Sequence, residues 1–204
     1  PGEILFCGSP GMAKSLAARF QGAGICPLAI PPASSLLTVI GSANEVSLAQ
    51  KHRLIATERA VEIVIDARLA SSSPFRAMRA AIDGARLGAV KRHSLVIGTG
   101  PVEQTGVEPN RITEAIGLTV AAIIRLHPIN GMILTGGDTA AAIFRILGVG
   151  KIRLTGEIEP GIPLGLVEAS HRMGVITKAG GFGDLDTLVR CAAILRGAPA
   201  GAWA

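Results

Sequence analysis

Leu134-Thr135-Gly136-Gly137-Asp138-Thr139 follows an apolar run at 131–134 and leads into a helix-like segment at 139–147. Thr177-Lys178-Ala179-Gly180-Gly181-Phe182-Gly183 repeats the arrangement, between an extended run at 174–176 and a helical pattern at 185–195. Each glycine-rich turn therefore sits where a strand hands over to a helix. Glycine lacks a Cβ, so backbone N–H groups can approach a polyanion closely, and the following helix adds the positive end of its dipole. Two such turns in one α/β domain suit the phosphates of a nucleotide.

Working outward, the rest of the chain alternates in the same way. Residues 3–7 read as a short buried strand, with Gly8-Ser9-Pro10-Gly11 as its turn and a helix at 12–20. A Gly- and Pro-rich connection at 22–32 is the clearest linker. A strand at 36–40 then ends at Gly41-Ser42, and a helix at 45–54 puts Val46, Ala49 and Arg53 on one face. Further strands are expected at 61–65 and 94–97, with a long helix at 74–91 opened by Pro74. An amphipathic helix at 111–126 follows, with Ile112, Ala115, Ile116, Thr119, Ile123 and Leu126 near one face. Strand, helix and strand run through 131–154, and 158–166 reads as irregular and Pro-rich. Alternation with continuous apolar strands predicts a three-layer α/β sandwich, Rossmann-like, with a mostly parallel central sheet. Ligands of such sheets sit outside the carboxyl ends of the strands. That edge here carries Gly41-Ser42, residues 98–100, residues 136–139 and residues 178–183.

Composition agrees and excludes several classes. At 204 residues, 49% hydrophobic and 17% charged, the chain can bury a full core as one domain with a small appendage. Aromatics are 3%, Tyr is absent and there are 26 glycines, so the core is aliphatic and the turns many. The net charge of +5 favours anionic partners. Its basic residues are scattered, however, and the cluster Lys91-Arg92-His93 suits a helix C-terminus, so no nucleic acid is expected. Cys7, Cys26 and Cys191 show no C-x-x-C spacing and read as free thiols of a reducing compartment. His52, His93, His127 and His171 fall in no metal-ligand spacing, and no structural metal is predicted. No signal peptide leads the chain, and no apolar run reaches the roughly 18 residues of a membrane span, so a cytoplasmic location without membrane association is expected. Because the chain opens on Pro1 and is already strand-like by residue 3, a segment upstream is expected to be missing.

Each candidate site residue has a plainer reading beside it. Asp138 could hold Mg²⁺ through water and Thr139 could bond a phosphate oxygen; alternatively Asp138 caps the helix. Lys178 could act as a point charge on a phosphate, or lie exposed at a strand end. Ser42 could bond a ligand or cap the next helix. Gly8-Ser9-Pro10-Gly11 lacks the third glycine of a dinucleotide fingerprint, and no G-x-x-x-x-G-K-[ST] occurs. Asp66, Arg68 and Glu103 are edge polar residues, while Glu157 and Glu159 flank a Pro-Gly turn and read as solvated. No nucleophile triad or carboxylate pair stands out, so no catalytic residue is assigned. Phosphoryl transfer, which depends mainly on positioning and charge neutralisation, fits better than nucleophilic catalysis.

Three strings in order, Leu134-Thr135-Gly136-Gly137-Asp138-Thr139-Ala140, Gly156-Glu157-Ile158-Glu159-Pro160-Gly161-Ile162-Pro163 and Thr177-Lys178-Ala179-Gly180-Gly181-Phe182-Gly183, resemble the nucleotide-binding C-terminal domain of the four-carbon acid sugar kinases. That family uses ATP to phosphorylate tetronates and 3-oxo-tetronates. The resemblance implies nucleotide contacts at Ser42, Gly136, Gly137, Asp138, Thr139 and Gly180, with ATP, and Mg²⁺ beside it, as cofactor. It also implies that residues 35–204 are the nucleotide-binding domain and residues 1–34 the tail of the substrate-binding domain plus linker. The family's Asp-Asp-x-Thr-Gly motif is absent, so the four-carbon sugar acid would bind a missing N-terminal domain, without which the chain is expected to be inactive. Ser47 stands where the resemblance leads one to expect Thr. The alternatives are a non-catalytic nucleotide- or phosphometabolite-binding module and a nicotinamide-dependent oxidoreductase.

Overall fold

Five largely aliphatic runs, too short for helices, build the parallel part of one sheet; four are buried on both faces, and the run at 61–65 is half exposed at the sheet edge. The computed structural model describes residues 5–19, 29–85, 94–100, 106–168 and 172–199. In chain order the elements are α1 (Pro10–Ala17), β1 (Leu36–Ile40), α2 (Glu45–Glu58), β2 (Val61–Ile65), α3 (Ala67–Ser72), α4 (Pro74–Gly84), β3 (Ser94–Thr99), α5 (Pro109–Leu126), β4 (Gly131–Thr135), α6 (Gly137–Ile146), β5 (Ile152–Glu159), β6 (Ile162–Glu168), β7 (Arg172–Lys178) and α7 (Thr187–Leu195). The strands form a seven-stranded sheet in the order β2-β3-β1-β4-β7-β6-β5. The first five in that order are mutually parallel; β6 pairs antiparallel with β7, and β5 antiparallel with β6. This is the expected three-layer α/β sandwich.

Side-chain alternation assigns the two faces. Leu37, Val39, Ile63, Ile97, Leu134 and Val175 point to one side, where they pack with Ala77 and Ala81 of α4, Ile116 and Ile123 of α5, and Ile143 of α6. Leu36, Ile40, Val96, Ile133 and Ile176 point to the other, against Leu54 of α2 and Leu188, Cys191 and Leu195 of α7. Helices of successive strands thus leave to opposite faces: α2 after β1 to one, α6 after β4 to the other, α7 after β7 back to the first. The strands between are neighbours, so the crossovers part on either side of β4.

Several expectations are corrected. Residues 5–9 form no strand, and Leu5 and Phe6 are 93% and 60% exposed. An apolar run becomes a strand only where a neighbour takes its hydrogen bonds, and this one has none among the described residues. Residues 158–166 are not irregular: β5 and β6 form a hairpin that turns at Pro160-Gly161. Pro163 is tolerated because it faces Glu157 at the hairpin end, beyond the first β6–β7 pair at Leu164 and Ile176. The long helix expected from residue 74 is preceded by a separate short one, α3, whose N-cap Asp66 accepts from the Leu69 amide at 2.8 Å. Asp66 is thus a cap. Leu126, expected on the buried face of α5, is 63% exposed.

The expected helix beyond residue 85, most of the linker (22–28), the basic triplet 91–93, Glu103, Cys26 and His171 lie outside the described residues. No helix among the described residues is long and apolar enough to cross a membrane.

Candidate functional site

Register brings the carboxyl ends together. Ile40 faces Thr135 across the β1–β4 ladder, and Thr135 faces Lys178 across β4–β7. The ladder runs one residue further, with Gly41 N–H donating to Thr135 O and Gly136 N–H to Lys178 O, both at 3.0 Å. The three following loops therefore emerge side by side, at strand neighbours whose helices leave to opposite faces. This is the crevice in which open parallel sheets take their ligands.

Contacts between the loops are close enough to demand glycine. A Cβ on Gly41 would strike the Thr139 side chain, and one on Gly180 would strike Ser42 Oγ. Gly136 has φ +100°, a region that side chains rarely adopt. Ser42, Gly136, Thr139 and Gly180 are thus drawn into one cluster, with Gly137 and Asp138 exposed beside it on the first turn of α6. Asp138 does not cap that helix. Gly136 is the N-cap, with no side-chain bond. Ser42 is not the cap of α2 either: Asn44 is, accepting from Val46 N–H at 2.9 Å, while Ser42 Oγ accepts from Asn44 N–H at 3.2 Å.

The first intrahelical bond of α6 is made by Ala140 N–H to Gly136 O at 3.0 Å. The amides of Gly137, Asp138 and Thr139 therefore have no acceptor among the described residues, as the start of a helix dictates. The amides of Gly180, Gly181 and Gly183 in the other loop also lack one.

The carbonyls of that second loop are tied down instead. Lys178 Nζ donates to the carbonyls of Ala179, Gly180 and Phe182, each at 2.9 Å. Ser47 Oγ donates to Gly180 O at 2.6 Å, and Gln50 Nε2 to Phe182 O at 3.0 Å and Asp184 O at 2.6 Å. An ammonium has three N–H bonds, and all three are used. Lys178 is 3% exposed, so it is neither the exposed strand-end lysine nor a free phosphate ligand. Burial lowers its pKa, against the opposing fields of Cys191 and Glu159. Its charge sits beneath the loop and balances the carbonyl dipoles.

A second network braces the loop from the hairpin. Arg190 Nε donates to Glu159 Oε1 at 2.7 Å and Arg190 Nη2 to Asp184 Oδ1 at 2.8 Å. Thr187 Oγ1 donates to Glu159 Oε2 at 3.1 Å and accepts from Asp184 N–H at 2.9 Å. The hydrogen bond from Arg190 holds the Asp184 carboxyl below its ordinary range. Glu159 is thus a brace and not a solvated residue. Glu157 closes the hairpin turn by accepting from Gly161 N–H at 2.7 Å.

Ser47 and Gln50 were not legible as site residues. Helix α2 buries Ser47, Gln50, Lys51 and Leu54, whereas Val46, Ala49 and Arg53 are exposed. The inner stripe is polar because it serves the loop; Lys51 is also paired, with Glu62 at 2.8 Å. Polar residues at i, i+3 and i+4 ahead of Leu54 were the available signal. Among the described residues no group of three or more His, Cys, Asp or Glu could hold a metal.

Comparison with known proteins follows the same lines. Residues 37–188 match the family model described as the nucleotide-binding C-terminal domain. The chain is 28% identical over 191 residues to a D-threonate kinase of Bordetella bronchiseptica, covering 93% of this chain and 45% of the relative. It is 32% identical over 186 residues to a D-threonate kinase of Cupriavidus necator, covering 87% and 44%. A 3-oxo-tetronate kinase of Burkholderia multivorans matches at 30% over 88 residues, 42% of this chain and 21% of the relative. A crystal structure from Bordetella bronchiseptica, described as a domain of unknown function with bound citrate, superposes with TM-score 0.72 at 26% identity, covering 81% of this chain and 42% of that one. The chain spans about half the length of the curated relatives it matches.

Proposed function

Because the chain belongs to the nucleotide-binding C-terminal domain family of the four-carbon acid sugar kinases, we propose that it binds ATP, with Mg²⁺, in the crevice above β1, β4 and β7. The observation that carries this is the pair of loops in which the amides of Gly137, Asp138, Thr139, Gly180, Gly181 and Gly183 have no acceptor among the described residues, one loop opening a helix and the other holding its carbonyls inward. Such a surface is electropositive without a free cation, and it suits a polyphosphate. Gly41 and Gly180 let the loops that form this surface pack closely, since a Cβ at either would strike Thr139 or Ser42.

In this reading Gly137, Thr139 and Gly180 supply donors to phosphate oxygens, while Gly136, whose own N–H is spent on Lys178 O, shapes the turn rather than donating as expected. Ser42 adds an auxiliary hydroxyl, and Asp138 a carboxylate toward the metal. ATP supplies the phosphoryl group that is transferred. The acceptor is a hydroxyl of a four-carbon sugar acid, held by a substrate-binding part that lies outside residues 35–204. The chain's own task is to hold the triphosphate in line and keep its charge neutralised. Alone it binds nucleotide with little or no turnover.

Calorimetric titration of the chain with Mg·ATP and with NAD side by side tests this: saturable binding of ATP is expected, and a preference for NAD overturns it. Mixing the chain with a separately produced N-terminal half of a relative is then expected to give tetronate-dependent ATP consumption.

A further inference from the structure

The 179–184 loop owes its shape to side chains outside it. Four of its carbonyls, those of Ala179, Gly180, Phe182 and Asp184, accept from Lys178, Ser47 or Gln50. Inside the loop there is one backbone bond, Phe182 N–H to Ala179 O at 3.2 Å. Glycines at 180, 181 and 183 impose no conformation of their own. Without the tethers, the same segment would sample many shapes.

Two of the three tethering residues come from α2, which lies more than a hundred residues away in sequence. Gln50 is fully buried, and its Oε1 has no hydrogen-bond partner. A residue present only to fill space would not carry an unpaired acceptor, because an apolar side chain of similar size avoids that cost. What Gln adds over Leu or Met is its amide N–H₂, and both hydrogens go to loop carbonyls.

We propose that Gln50 and Ser47 are positioning residues for an anion cradle: from α2 they hold the 179–184 carbonyls inward, which leaves the amides of Gly180, Gly181 and Gly183 to a phosphate. The identity of the anion rests on the nucleotide-binding reading; the tethering does not. Neither side chain is a catalytic residue, since each acts through the loop backbone.

The test uses residue-resolved amide exchange and Mg·ATP titration on Gln50→Leu, Ser47→Ala and Ser47→Thr chains. The Phe182 and Asp184 amides, bonded to Ala179 O and Thr187 Oγ1, report loop shape, and amides of β1 and α5 report global stability. In Gln50→Leu and Ser47→Ala the loop amides are expected to exchange about tenfold faster, while the β1 and α5 amides are unchanged. ATP affinity falls by about tenfold in parallel, and Ser47→Thr, which keeps the hydroxyl, restores both. Unchanged loop exchange in both variants overturns the proposal, as does equal acceleration in β1 and α5, which marks a merely structural role. Should Gln50→Leu not fold, Ser47→Ala against Ser47→Thr decides alone. If the unaltered chain takes no ATP, the nucleotide reading fails while the exchange experiment still decides the tethering.

Discussion

A methyl group added at Gly41 has nowhere to go, because the Thr139 side chain already fills the space, with Cγ2 2.7 Å from where the Cβ would sit. Thr139 is itself 4% exposed and held on the first turn of α6. Gly41→Ala is therefore expected to cost about 1–3 kcal/mol of overpacking, read as a lower urea midpoint, and to weaken ATP binding by forcing the β1 and β4 loops apart. Thr139→Ala in the same chain should recover part of the stability, a coupling that a double-mutant cycle measures. Cys191 gives a second prediction at this scale. It lies on the buried face of α7, and burial, helped by the field of Glu159, pushes its thiol up to about 12. The thiolate is the reactive form, so peptide-resolved alkylation at pH 8 should label Cys7, which is exposed, and leave Cys191 untouched until the chain is denatured. The sign for stability follows. Between the ordinary thiol value of about 8.5 and the raised one, the unfolded chain releases a proton that the folded chain keeps, so this contribution is lost as pH rises through that window.

Among the elements, the β5–β6 hairpin is the one whose attachment matters most to the site. Its turn packs on the loop, the Phe182 ring lying where a Cβ of Gly161 would be. Its last β5 residue, Glu159, joins α7 through Arg190, the two side chains being 22% and 18% exposed. Replacing the Glu159 carboxylate leaves the mostly buried Arg190 with only the exposed Asp184 as counter-charge among the described residues, so Glu159→Gln should cost about 1–3 kcal/mol and speed exchange at Asp184 more than in β1. Acid offers a milder probe of the same brace. Because Asp184 is held below the ordinary carboxylate range, its contribution is complete above about pH 3.9 and is lost as pH falls through the depressed value. Loop exchange, corrected for intrinsic rates, should therefore match at pH 5 and pH 7. The hairpin was also the element least legible in the sequence. Pro160 and Pro163 argue against strand in a local reading, and only the sheet partner β7 reveals that Pro163 sits where no N–H is needed. The short α3 escaped because six residues are too few for a helical period to show. By contrast β1 was legible to the residue, since a parallel strand buried on both faces is a bare aliphatic run bounded by polar or glycine residues, and so was the edge strand β2, whose Val and Ile residues mark it despite Glu62. The glycine turns were legible for a similar reason: backbone demands leave a mark in residue type. Ser47 and Gln50 left a mark too, but a polar stripe on a helix reads as solvent-facing until something is known to lie against it.

On the scale of the whole molecule, the site depends on an arrangement that no single segment specifies. The order β1-β4-β7 in the sheet places three loops together from residues near 41, 136 and 180, and the alternation of α2, α6 and α7 between faces opens the crevice among them. A ligand bridging these loops touches parts that separate on unfolding, so it binds the native state and not the unfolded chain. The consequence is quantitative. At a concentration one hundred times its dissociation constant, such a ligand adds about 2.7 kcal/mol to stability. For a domain of this size each kcal/mol raises the melting temperature by roughly 2–4 °C. Mg·ATP at saturation is therefore expected to shift the thermal midpoint of the chain up by about 5–10 °C, measured by calorimetry or dye binding. Gly180→Val, whose larger side chain meets Ser42, should abolish that shift while the ligand-free midpoint moves less. A shift of equal size in Gly180→Val and the unaltered chain would place the nucleotide somewhere other than between these loops.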